Sequence, residues 1–112
     1  MPHRINIKPL SINKCWQGRR FKTKAYEAYE EEVLYSLPRL SIGPHKLVLS
    51  LTVAFSNKAS DIDNVIKPFL DILQKKYGFN DKQVYRLIVE KKDVKKGEEY
   101  IEFLISKYKP LT

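Results

Sequence analysis

The chain has 112 residues, 43% hydrophobic and 30% charged, which fits one small globular domain and excludes a disordered or fibrous chain. No apolar run approaches the roughly 20 residues that cross a bilayer, and the opening Met-Pro-His-Arg-Ile lacks the apolar stretch of a signal peptide, so a cytoplasmic location is expected. Lys and Arg number 21 against 13 Asp and Glu, a formal charge of +8, which points to a polyanionic partner.

From the N-terminus, Ile5 to Pro9 reads as a short strand with Ile5 and Ile7 on one face. Leu10 to Lys22 reads as a basic loop, with no clear period and a glycine at Gly18. Residues 1 to 26 contain Arg4, Lys8, Lys14, Arg19, Arg20, Lys22 and Lys24, but no acid, and Trp16, Phe21 and Tyr26 are interleaved with them. Such a segment can hold phosphates and stack on bases or sugars. Nucleic acid is favoured over a membrane surface, because no strongly apolar helix face accompanies the charges. Cys15 is the single cysteine, so it forms no internal disulfide and no thiolate zinc cage; a packing role is expected.

Thr23 can cap a helix that runs to about Leu37, with Tyr26, Tyr29, Val33 and Leu37 as its apolar stripe and Pro38 as its stop. Ser41 to His45 is a turn. Lys46 to Phe55 is the clearest strand, with Leu47, Leu49, Leu51, Val53 and Phe55 alternating onto one face. After a polar connection, Ser56 to Ser60, a second helix spans about Asn64 to Tyr77, and Gly78 fits its C′ position. Pro68 is disfavoured in a helix interior, so this helix starts only shortly before it, with Asp61 and Asp63 at or just before its N-terminus. Gln83 to Glu90 alternates again, Val84, Arg86 and Ile88 opposite Tyr85, Leu87 and Val89. Lys91 to Glu98 reads as a hairpin loop and Glu99 to Ser106 as the last strand. The order β-α-β-α-β-β implies a single α+β domain, a mixed sheet with two helices packed on it.

Asp61 and Asp63, two residues apart in an extended segment, point the same way. Their mutual repulsion calls for a compensating charge. A helix N-terminus offers a partial one, and a divalent cation a stronger one; carboxylate oxygens suit Mg²⁺, which is held by one or two acids, waters and substrate phosphate. Asn64 can cap the helix or act through its amide oxygen. Lys67, four residues after Asp63, returns to the same helical face and can neutralise phosphate charge. Asp81 can return toward this helix start only if the strand that follows it pairs beside the earlier one. A lone Asp-x-Asp usually caps a helix or solvates a loop. A calcium loop is excluded, because Ile66 stands where that loop needs glycine. A nucleotide-sugar transferase is excluded by length. Asp71 is placed to pair with Lys75 at i+4, and Lys75 and Lys76 to complement the helix dipole.

The string Asp61-x-Asp63-Asn64-x-x-Lys67, then Asp71-x-Leu73, Gly78-Phe79 and Asp81-x-Gln83-Val84, resembles the RusA family of Holliday junction resolvases. Ser11-x-Asn13 after Pro9 resembles that family's N-terminal motif, and the likeness covers about residues 5 to 106. Where many members carry two acids before the x-Gln-Val element, this chain has Asn80-Asp81. The resemblance implies a small α/β homodimer, bacterial or prophage-encoded, that binds four-way DNA junctions and nicks two opposing strands symmetrically. It implies Mg²⁺, with Mn²⁺ able to substitute. The catalytic acids and metal ligands would be Asp61, Asp63 and Asp81, and the functional lysine Lys67. Asn13, Lys14, Arg19, Arg20, Lys22, Lys24 and Asn64 are the candidate DNA contacts. A non-catalytic DNA-binding module, a nuclease of other branched DNA or RNA, and a protein-binding component of a replication complex stay open beside this reading.

Overall fold

In the computed structural model, residues 2–18 and 21–110 are described. The strands are β1 (His3–Ile5), β2 (Trp16–Gln17), β3 (Phe21–Lys22), β4 (Leu47–Phe55), β5 (Val84–Asp93) and β6 (Tyr100–Lys107). The helices are α1 (Lys24–Ser36) and α2 (Asp63–Tyr77), and two 3-10 turns lie at Ile12–Lys14 and Asp81–Gln83. The main sheet has the order β1-β6-β4-β5, and β2 and β3 form a separate ribbon. β4 pairs parallel with β5 and antiparallel with β6, so the sheet is mixed as expected.

Both helices pack on one face of this sheet. Tyr26, Tyr29 and Val33 from α1, Leu37 at its C-cap, and Val65, Phe69, Ile72 and Leu73 from α2 join Leu47, Leu49, Leu51, Val53 and Phe55 of β4 in one buried cluster. Phe69 meets Phe103 of β6 edge-on, with ring centroids 5.8 Å apart. Thr23 Oγ1 accepts from the Tyr26 N–H at 3.1 Å, which sets the start of α1 as the sequence suggests. Gly78 ends α2 at φ 72°, a left-handed conformation that glycine takes without a Cβ penalty. Cys15 is fully buried, and burial first, then the charge of Asp71, raises its thiol pKa; it is an inert packing residue.

Four boundaries differ from the sequence pattern. The first strand is His3–Ile5 rather than Ile5–Pro9, because only these residues pair with β6; Ile5 and Ile7 are still both buried. The basic loop contains the β2–β3 ribbon and a 3-10 turn. α2 opens at Asp63, one residue before the expected start near Asn64, which keeps Asp61 and Asp63 at or just before its N-terminus as read, with Pro68 inside the helix. Finally, residues 91–98 are no hairpin: β5 and β6 lie on opposite edges of β4, and the connection crosses the end of β4, where the Val94 N–H donates to the Phe55 carbonyl at 2.8 Å.

A bulge also re-sorts β5. Leu47 pairs with Val84 but Val48 pairs with Arg86, so Tyr85 is the extra residue. One inserted residue flips the alternation. Val84 therefore shares the helix-covered face with Leu87, Val89 and Lys91, not with Arg86 and Ile88.

Glu30 of α1 joins three elements. Its carboxylate meets Lys22 of β3 at 3.0 Å and Lys75 of α2 at 3.1 Å. Lys75 is thus engaged by Glu30, and Asp71 takes Lys67 instead, at 2.8 Å. Burial pushes the Glu30 carboxyl up, but hydrogen bonds from Lys22 and Lys75 outweigh it and hold the group below its usual value of 4.5. A depressed carboxyl contributes stability above its unfolded pKa and loses it as pH falls through the folded one. Glu30→Gln should therefore lower the urea midpoint at pH 7, by about 1 kcal/mol or less. The gap to the parent protein should close as the pH drops below 4.5. A gap that is constant with pH would contradict the pairing.

Candidate active site

The acid pair sits where β4 hands the chain to α2. Beyond Phe55, Asn57 Oδ1 accepts from the Ala59 N–H at 2.9 Å, and the Asn57 carbonyl accepts from the Ser60 N–H at 3.2 Å. Lys91 comes in from β5. Its register partner is Val53, so it stands on the same face of the sheet. Its ammonium donates to the carbonyls of Lys58 at 3.0 Å and Ser60 at 2.6 Å, and lies 5.4 Å over the Phe55 ring. Lys91 thus pins the segment that runs directly into Asp61.

Asp61 precedes the helix and Asp63 is its first residue; both are exposed. Ile62 holds the N-cap position and offers no side-chain acceptor. The first-turn N–H groups of α2 therefore lack a side-chain cap, and Asp63 lies at the positive end of the helix dipole. Asn64 does not cap the helix; its amide donates to Asp61 Oδ2 at 3.4 Å. Among the described residues, neither Asp61 nor Asp63 pairs with a basic side chain.

Lys67 lies one turn further on. The hydrogen bond to Asp71 raises its pKa, burial pulls the other way, and the charges of Asp71 and Asp81 add to the rise. It is a secure cation near neutral pH, within the electrostatic reach of Asp81.

Asp81 begins the 3-10 turn before β5. That strand does pair beside β4, but in parallel. A parallel β-α-β unit places the loop leaving its first strand and the loop entering its second at opposite ends of the sheet. The fifteen residues of α2 cover about 20 Å between them. Asp81 accordingly comes near Lys67 and the C-terminal half of α2, not to the helix start. No three His, Cys, Asp or Glu side chains among the described residues stand together as a metal-ligand group, so Asp81 does not join Asp61 and Asp63 around one point within a single chain. Asn80 caps the Asp81 turn, accepting from the Lys82 N–H at 2.9 Å while Gln83 Oε1 accepts from the Asn80 N–H at 2.9 Å.

A groove of about 910 Å³ opens beside Asp61. Lys8, Ser11, Lys14, Asn57 and Asn64 line it together with that acid. Of the candidate DNA contacts, Lys14 and Asn64 thus face the groove. Asn13 and Lys24 are exposed, and Lys22 is bound to Glu30. Phe21 is exposed on the β2–β3 ribbon, and Trp16 is partly exposed there but packs edge-on against the buried Tyr26, ring centroids 5.6 Å apart. Arg19 and Arg20 lie outside the described residues.

A family model described as Endodeoxyribonuclease RusA matches residues 11–103, a span that holds Asp61, Asp63, Lys67 and Asp81. The chain belongs to the RusA family. It is an endodeoxyribonuclease of the Holliday junction resolvase type, acting on branched DNA. A search of curated proteins gave no match. No helix among the described residues is long and apolar enough to cross a membrane.

Sequence reasoning missed Lys91, and it placed Lys8 in the basic N-terminal segment without singling it out. A lysine opening a charged stretch that reads as a loop looks like any solvated charge, and only the parallel register of the longer β5 brings Lys91 to the Asp61 segment. Lys91→Met removes its charge and both hydrogen bonds. It should speed amide exchange in residues 58–62 by roughly tenfold, consistent with the usual worth of charge-assisted bonds, while the amides of β4 keep their protection. Unchanged exchange in that segment would show that the clamp holds nothing.

Proposed function

We propose that this RusA-family chain resolves four-way junctions by paired symmetric nicks through Mg²⁺-assisted phosphodiester hydrolysis. It works as a homodimer in the cytoplasm of a bacterium, encoded by the host or a prophage. The observation that carries the reading is the acid pair. Asp61 and Asp63 are exposed, have no basic partner among the described residues, and stand beside a groove lined by Lys8 and Lys14.

Two hard carboxylates open to solvent fit Mg²⁺, which takes one or two acids and fills its remaining positions with water and phosphate oxygen. Asp61 and Asp63 would hold the ion; Mn²⁺, with similar oxygen preference, would substitute. When bound, it supplies positive charge at the scissile phosphate and a more acidic water. The chain's own residues do the rest. Asn64 orients the Asp61 carboxylate through its amide. Lys67, kept protonated by Asp71, offsets charge that builds on the phosphate oxygens. Asp81 belongs to the catalytic set through its place beside Lys67. Lys8 and Lys14 grip the backbone without reading sequence. A two-fold dimer carries two such sites, which suits two symmetric cuts.

Asp63→Asn should reduce cleavage of a mobile four-way junction by on the order of a hundredfold or more, with junction binding and its salt sensitivity retained. Chelation of Mg²⁺ should do the same to the parent protein. Full activity of the Asp63→Asn protein would falsify the acid-pair assignment. In a second measurement, Arg19→Ala with Arg20→Ala should weaken junction binding and flatten its dependence on log salt by about two phosphate contacts' worth. An unaltered slope would remove those arginines from the DNA grip.

A further inference from the structure

The contact that ties the two halves of the catalytic set together lies on α2. The Asp81 N–H donates to Gln74 Oε1 at 3.0 Å. The amide nitrogen of Gln74 faces the Leu70 carbonyl at 3.4 Å and Asp71 Oδ1 at 3.5 Å. A carbonyl and an ionised carboxylate only accept, so the nitrogen must point to them and the oxygen to Asp81; a flipped amide would set oxygen against oxygen and nitrogen against an N–H. Asp71 Oδ1 is also the atom that Lys67 meets at 2.8 Å. Lys67, Asp71 and Gln74 recur at i, i+4 and i+7 and form one stripe along the helix.

We propose that Gln74 is a positioning residue that latches the Asp81 segment onto this stripe, with Asp71 orienting both the Gln74 amide and the Lys67 ammonium. The inference rests on the roles given to Asp81 and Lys67 above. The Asp81–Gln83 turn has other bonds, but they serve a different end. The Asn80–Gln83 box fixes its shape, and Gln83 Nε2 donates to the carbonyls of Gly43 at 3.1 Å and His45 at 3.0 Å, docking the turn on the loop before β4. Among the described residues, Gln74 supplies the side-chain hydrogen bond that joins the turn to α2, the helix that carries Asp63 and Lys67. Without it the turn keeps its shape and its dock, but the distance between Asp81 and Lys67 is no longer set.

The test is Gln74→Met, which keeps the length and apolar stem and deletes the acceptor. Exchange of the Asp81 amide, followed by NMR, should speed up roughly five- to tenfold, the loss expected for one hydrogen bond, while the amides of Leu49 and Leu51 in β4 hold their protection. Single-turnover junction cleavage should fall about tenfold or more with junction Kd unchanged, the signature of lost positioning rather than lost binding. An Asp81 amide that exchanges at the parental rate in Gln74→Met overturns the latch. So does exchange that accelerates equally throughout β4. If the parental protein cuts no junction with Mg²⁺ present, the proposed function fails, and the exchange measurements still decide the latch by themselves.

Discussion

β4 is hydrogen-bonded along both edges, to β5 in parallel and to β6 in the opposite sense. That double pairing constrains everything around it. A parallel partner cannot be reached by a tight turn, so the chain must travel back over the sheet, and α2 is the segment that does so. The helix is therefore both the crossover and the platform for the functional side chains. Its N-terminus receives Asp61 and Asp63 from the end of β4, its middle carries Lys67 and Asp71, and its last turns meet Asp81 at the entry to β5. The burial of Phe69, Ile72 and Leu73 beneath it fixes which face is left for polar residues.

The electrostatic design follows from the same layout. A chain with eight excess positive charges attracts a phosphate polymer from any direction. Several of its cations are nevertheless spoken for: Lys22 and Lys75 by Glu30, Arg4 by Glu102, Lys67 by Asp71. These pairs hold the layers together or fix one functional ammonium. The acids at 61 and 63 are treated in the opposite way. They are left open, beside backbone N–H groups that no side chain caps, and the loop before them is restrained from behind by Lys91. Local geometry is tight where position matters and uncompensated where charge is to be met by something else.

Much of this was legible before folding. Both helices, β4 and the cap at Thr23 follow from period and from one hydroxyl. The family string from Asp61 to Val84 is readable because it combines side chains that have no reason to recur together in a core. The misreadings have local causes. The alternation in β5 breaks at Tyr85, and a single-residue bulge leaves no mark in a pattern of apolar and polar letters. The β5–β6 hairpin looked natural because neighbouring strands usually pair, whereas here β4 had already taken both partners. Asp71 has lysines that fit helical spacing on either side, and the choice of Lys67 was made by Glu30 of another helix capturing Lys75. The three acids are adjacent in the motif but not in one chain's space, since parallel pairing is a property of the sheet and not of the segment.

Pro68 has no N–H to give, so the carbonyl of Asn64, four residues earlier, lacks the donor that a regular α-helix would bring it. The helix thus surrenders one rung of its own ladder a single residue past Asp63. The oxygen that loses its partner is neutral, hard and strongly dipolar, and belongs to the residue whose amide already touches Asp61. The proline that looks like a flaw in the helix thus leaves a backbone acceptor without its helical donor inside the first turns of α2.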